Sequence, residues 1–361
     1  MTLKSKSNTQ IALQKFKTDF WGVLCFWVVV ALATISVFAY FIVPDSSKNA
    51  NNGDLSLRSQ SPGFTVQIIQ FPESNTRGWK EYWTGKETAN KEIPISSFHF
   101  KEDRIYYTEF GENSKFTETK SLPLSQFTPL TQDQIVKEKK YLLGTDSQGR
   151  DFLSRLIIGS RVSLSIGFIA VLISLIIGIS LGALAGYFGG KIDLFILWLI
   201  NIIWSIPTLL LVIAITLALE KGFWQVFIAV GLTMWVEVAR VIRGQVISVK
   251  QQQYVTAARA LGYSDLRIIS KHILPNCMAP VIVISAANFA SAILVESGLS
   301  FLGLGVQVPV PSWGAMIKEN YNYIILGKPY LALLPGLAMF LLVMSFMLIG
   351  NALRDALDVK K

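Results

Sequence analysis

The sequence predicts an all-α polytopic membrane protein: six transmembrane helices, with one small β-containing extracytoplasmic insert between the first and the second. Three observations predict it. Only 16% of the 361 residues are charged while 52% are hydrophobic, against about 25% charged in an average soluble chain. The shortfall lies in six long apolar runs, at 20–43, 162–187, 194–219, 224–241, 278–302 and 331–353, four of them uncharged, each near the ~17–25 residues that cross a bilayer. The polar stretch 44–142 stands apart from them in composition. The chain therefore divides into a cytoplasmic segment 1–19, a first helix at 20–43, an insert at 44–142 and a core at 143–361 carrying five helices.

The first run follows Lys4, Lys6, Lys15 and Lys17. It is longer than the roughly 7–15-residue apolar region of a secretory signal and lacks a small-residue cleavage site, so it reads as an uncleaved helix with its basic end inside. In the insert, β-like runs at 64–71, 93–100 and 104–110 are separated by Gly, Pro and Asn, which predicts a small folded sheet. Trp79, Trp83, Tyr106 and Tyr107 are candidates for its core.

In the second run Gly178, Gly182 and Gly186 recur every four residues. Such a face lets another helix approach closely, within the bundle or across a dimer. Pro207 lies inside the third run and predicts a kink there. Near the inner end of the fourth, Glu237 and Arg240 are three residues apart, a spacing that pairs them on one helix face. In the fifth, Ser285, Asn288, Ala292 and Glu296 are spaced by three, four and four residues. They form one small, polar helical face, which belongs in the bundle interior or along a water-filled pathway rather than against lipid.

Between the fourth and fifth runs, at about 242–277, lies a basic loop. Arg240, Arg243, Lys250, Arg259, Arg267 and Lys271 are accompanied by a single acid, Asp265; the C-terminal tail adds Arg354, Lys360 and Lys361. Both segments are cytoplasmic, and the insert is outside, if basic loops stay in. The loop reads as two short helices. Residues 254–261 favour a helix that Gly262 ends with a positive φ. Ser264 caps a second helix to about Lys271, and Pro275 closes the segment before the next membrane run. A basic amphipathic helix lying on anionic headgroups is the competing reading.

Several function classes fall away. The net charge of +9 is spread along helix flanks rather than gathered in a patch, so membrane lipid, not nucleic acid, is the partner it implies. Two cysteines, Cys25 and Cys277, and two histidines, His99 and His272, form neither a metal-ligand pattern nor a triad, so no metal is expected. The nearest approach to a phosphate-binding loop, YFGGKID, has Ala185 for the first glycine and Ile192 for the hydroxyl; it cannot cradle a nucleotide. Glu296 alone, without a relay partner, gives little to a proton-driven carrier.

Four ordered stretches carry a resemblance: LGTDSQGRDFLSRLIIGSRVSL (143–164), YVTAARALG with KHILPN (254–276), ESGLSFLGLGVQVPVPSWGAMI (296–317) and NALRDALD (351–358). Together they resemble the "C" permease of dipeptide/oligopeptide ABC importers over about 143–361. Ala257, Ala258, Gly262, Leu274 and Pro275 stand at the spacing of that family's ATPase-coupling loop. Thr256 replaces its acid and His272 an apolar residue. The resemblance implies a bacterial plasma-membrane (inner-membrane) permease that is not itself an enzyme and holds no cofactor. It would work with a second homologous permease, two ATP-binding subunits carrying ATP and Mg²⁺, and an extracytoplasmic substrate-binding protein. Cargo would be di- or oligopeptides, with nickel chelates or cell-wall peptides as alternatives. A secondary transporter or channel is the rival from another class. The resemblance says nothing about the insert.

Overall fold

The computed structural model describes residues 8–72, 78–87, 91–111, 119–219 and 223–357. Lys4, Lys6, Lys360 and Lys361, which enter the charge argument, lie outside them. Two compact units divide the chain: one of Met1–Ala33, Ser163–Gln307 and Leu337–Lys361, the other of Thr34–Val162 and Val308–Gly336.

The first unit is helical. Its elements are α1 (Asn8–Thr18), α2 (Phe20–Val37), α3 (Phe152–Phe188), α4 (Gly190–Ser205), α5 (Thr208–Ala218), α6 (Phe223–Lys250), α7 (Gln253–Ala260), α8 (Asp265–Ile268) and α9 (Leu274–Leu302). After α10 (Trp313–Asn320), in the second unit, α11 (Tyr330–Leu357) completes the set; the end of α2 and the starts of α3 and α11 belong to the second unit. Among the described residues five helices are long and apolar enough to cross a membrane, or six if the bent pair α4–α5 counts as one span.

That pair sharpens the expected kink. Ile206 sits before Pro207 in extended backbone (φ −99°, ψ 128°), as the proline ring requires of the preceding residue. The two helices meet at 94°, so the proline breaks the run rather than bending it.

The three spaced glycines of α3 lie against α6. A Cβ on Gly178 would come within 2.7 Å of the Trp235 carbonyl oxygen, and one on Gly186 within 2.8 Å of that of Arg243; one on Gly182 would strike the Ala239 carbonyl. Only bare backbone permits this approach.

The segment after Gly262 departs from expectation. Pro275 does not close it. Helix α8 passes through a π-turn at Ile269–Ile273 straight into α9, giving one apolar run over Asp265–Leu302. In a regular α-helix Pro275 would face the Lys271 carbonyl without an N–H to give it. A wider turn just before a first-turn proline relieves that mismatch.

The second unit is built on an antiparallel sheet in the order β4-β3-β2-β1-β5. The strands are β1 (Phe64–Gln70), β2 (Glu92–Lys101), β3 (Arg104–Glu109), β4 (Lys120–Pro123) and β5 (Val136–Tyr141). Period-2 alternation sends Ile69, Ile95 and Ile105 to one face with Phe127 and Ile135. Val66, Ile68 and Tyr141 go to the other, with Leu57. The expected aromatic core is thus corrected: of the four candidates only Tyr107 is buried, and Trp79 is 76% exposed. Isoleucine fills the pleat instead.

This unit is wider than 44–142, because residues 308–336 return to it. Arg150 donates to Asp146 at 2.7 Å and to Glu319 at 3.0 Å. Arg155 lies 3.3 Å from Asp146 and 3.5 Å from Glu319. Trp313 Nε1 donates to the Leu156 carbonyl at 3.0 Å, Tyr330 Oη to that of Gln60 at 2.8 Å, and Lys328 to that of Ser59.

Candidate functional site

The loop between α6 and α9 is the segment whose chemistry the sequence singled out. Helix α7 ends as its glycine dictates. Gly262 takes φ +78°, and the Tyr263 N–H returns to the Ala258 carbonyl at 3.2 Å, the crossed bonding of a left-handed helix stop. Ser264 holds the N-cap position of α8 in extended backbone but makes no side-chain cap. Tyr263 stacks on His272 with centroids 5.8 Å apart, and the Arg267 guanidinium lies 4.2 Å above the Tyr263 ring. The imidazole that replaces an apolar residue thus closes the two-helix turn as an aromatic plate.

The paired alanines separate. Ala258 is buried with Val255 against α3, α6 and α9, in one apolar cluster with Ala183, Val238, Ile242, Ile273 and Cys277. Ala257 faces outward with Thr256. At helical spacing two adjacent residues cannot share a face, so the pair divides between the bundle and the outer surface. Leu274 is partly buried against the same cluster, and Pro275 is exposed. The outer surface also carries Leu261, 72% exposed, and Leu266, 76% exposed. Sequence reasoning passed over these two leucines; the signal was a leucine on each side of Gly262, near the turn that breaks the two helices.

Polar and cation–π contacts tie this surface to the helices beneath it and those helices to one another. Tyr187, at the end of α3, donates its hydroxyl to Asp265 at 2.5 Å. Lys250, at the end of α6, donates to the Tyr187 carbonyl. The Lys250 ammonium and the Arg259 guanidinium stand 5.3 and 5.8 Å from the Tyr187 ring. Arg243 and Asp193 form a bidentate pair at 2.5 and 2.7 Å, joining α6 to the start of α4. The YFGGKID segment between them is a tight turn, with Gly189 and Gly190 at φ +67° and +53°.

The expected Glu237–Arg240 pair does not form. Arg240 instead lies 3.5 Å above the Trp204 ring, a cation–π contact that joins α6 to α4.

On α9, Asn288, Ala292 and Glu296 are 2%, 0% and 1% exposed. Ser300 donates to Glu296 at 2.7 Å, and Ser285 returns its hydroxyl to the Val281 carbonyl at 2.6 Å. The polar stripe faces the bundle interior. A different face of α9, with Ala279, Val283 and Ala287, lines a cavity of about 560 Å³ that Val241 of α6 and Met347, Asn351 and Arg354 of α11 complete. Among the described residues no group of three or more His, Cys, Asp or Glu side chains is placed to hold a metal.

A family model described as "Binding-protein-dependent transport system inner membrane component" matches residues 178–361. A dipeptide transport system permease protein of Alkalihalophilus pseudofirmus is 41% identical over 221 residues, 61% of this chain and 72% of that one. A di/tripeptide transport system permease protein of Pseudomonas aeruginosa is 44% identical over 223 residues, covering 62% and 73%. A glutathione transport system permease protein of Pectobacterium atrosepticum is 40% identical over 218 residues, covering 60% and 72%.

Proposed function

Because the chain belongs to the family of binding-protein-dependent transport system inner membrane components, we propose that it is half of the membrane pathway of an ATP-driven peptide importer and the receiver of its mechanical input. Relatives named for dipeptides, di/tripeptides and glutathione favour short peptides over nickel chelates as cargo. The family moves substrate and does not transform it. ATP and Mg²⁺ belong to two separate ATP-binding subunits, and a second permease and an extracytoplasmic binding protein complete the machine.

One observation carries the coupling role. The outward surface of α7 and α8 presents three small or apolar side chains, Ala257, Leu261 and Leu266, in a loop rich in arginine. Exposed leucines on a charged loop fit a partner's apolar groove better than a water interface. The same loop is packed onto α3, α6 and α9, so a displacement of its outer face moves those helices. A secondary transporter has no use for such a surface.

The pathway runs along α9. Its open face lines the 560 Å³ cavity, a volume in the range of small-ligand sites. The buried stripe of Ser285, Asn288, Ala292 and Glu296 joins that path when α9 turns within the bundle.

Ala257→Glu or Leu261→Asp places a charge where the groove must be apolar, while Gly262→Pro forbids the positive φ. Each variant inserts normally, and the ATP-binding subunits no longer co-purify with it. Undiminished co-purification and peptide uptake in all three would remove the docking assignment.

A further inference from the structure

Tyr187 lies outside the loop, yet it touches both of its short helices. It is 3% exposed and ends α3, one turn beyond Ala183, which packs in the loop's apolar cluster. Its hydroxyl donates to Asp265 at the start of α8. Its ring is flanked by Arg259 from α7 and Lys250 from α6. Its carbonyl accepts from that same Lys250. One side chain therefore joins two membrane helices to both short helices of the loop.

The contacts differ in kind from apolar packing. A cluster of Val, Ile and Ala fixes how far apart elements sit but lets them slide. A hydrogen bond to a carboxylate has direction and length, and it breaks on a slip of about 1 Å. Phenol, carboxylate, ammonium and guanidinium here form one connected set, with each of the four helices contributing a member. The Arg243–Asp193 pair extends it to α4. Asp265, the loop's one acid, is thereby accounted for: it accepts the phenol.

We propose that Tyr187 is a positioning residue for energy coupling. It clasps α7 and α8 to the ends of α3 and α6, so that a displacement received at Ala257, Leu261 and Leu266 enters the bundle as a rigid movement instead of being absorbed in the loop. This rests on the docking reading above, but the clasp makes its own demand. Docking needs the outer surface; transmission needs the tie behind it.

The test uses the whole transporter in proteoliposomes. Tyr187→Phe removes one oxygen and keeps the ring. It is expected to retain the ATP-binding subunits and their hydrolysis while peptide transported per ATP falls several-fold. Asp265→Ala should match it, the double variant should be no worse than either single, and Asp265→Asn, which keeps an acceptor oxygen, should restore most of the loss. A residue needed only for folding would lower yield and hydrolysis together and leave their ratio with transport unchanged. Spin labels at positions 188 and 270, both exposed, give a second reading that needs no ATPase. In the permease alone their distance distribution should be narrow with Tyr187 and broad in Tyr187→Phe. The proposal is overturned if Tyr187→Phe keeps both the transport ratio and the narrow distribution, or if it sheds the ATP-binding subunits. Subunits that fail to associate with the wild type would instead count against docking, and the spin-label result would still decide the clasp.

Discussion

Arg150 and Arg155 are 2% and 1% exposed, which is rare for guanidinium groups unless they are paired. Asp146 serves both. Its Oδ1 also accepts from the backbone N–H of Gln148 at 2.8 Å and of Arg150 at 3.0 Å. Glu319, at 23% side-chain exposure, shares the load. Two nitrogens of Arg155 still lack a hydrogen-bond partner among the described residues, so the cluster has no acceptor to spare. Asp146→Ala should therefore destabilise the second unit by about 3–5 kcal/mol, the cost of stranding a buried charge. Glu319→Gln, at a half-open position, should cost less. Thermal unfolding of the detergent-solubilised protein measures both; equal melting of Asp146→Ala and wild type would mean the carboxylate is dispensable. The sequence revealed LGTDSQGR as a motif, but nothing in it names Glu319, some 170 residues away, as the partner.

At the scale of elements, apolar length was the legible quantity. The membrane runs were readable because a bilayer demands them. Strands β1, β2 and β3 were readable because one-in, one-out alternation is printed in their residues. Strand β5, VKEKKY, was not, since an edge strand carries lysines that discourage further pairing and erase the alternation. The π-turn at Ile269–Ile273 was illegible for another reason: Pro275 signals a break, and only the packing of Ile268, Ile269 and Ile273 on the bundle keeps the helix running through it. The stripe on α9 was read as polar and inward, but which inward face opens on a cavity depends on neighbours the sequence does not name. Single cysteines decide it. At 283 and 287 they should react readily with a water-soluble maleimide, since these positions line the cavity. At 288 and 292 they should react in one nucleotide state and not in the other. Failure to react in either would confine the stripe to packing. The native Cys25 and Cys277 are buried and give little background.

For the whole molecule, charge argues orientation: the insert outside, the 242–277 loop and both ends inside. Positions 101 and 251 are exposed, one in the sheet and one at the end of α6. An impermeant thiol reagent applied to intact cells should label a cysteine at 101 and spare one at 251; the opposite pattern would invert the protein. The two-unit division was only half legible. A polar insert announces itself by composition, whereas residues 308–336 look like a loop between membrane helices, and their return to the insert is a fact of tertiary structure.

That return sets a timetable. The second unit is assembled from Thr34–Val162 and Val308–Gly336, so everything from 163 to 307 must be synthesised before its last piece exists. At bacterial elongation speeds the gap is roughly ten to thirty seconds. For that interval Arg150 and Arg155 have Asp146 but not Glu319, and Trp313 has not yet been made. The newborn insert thus waits, incompletely neutralised and incompletely filled, until residues 308–336 arrive. A protease or chaperone meets a half-built domain on every nascent copy, and arrest of synthesis before residue 319 would leave it so permanently.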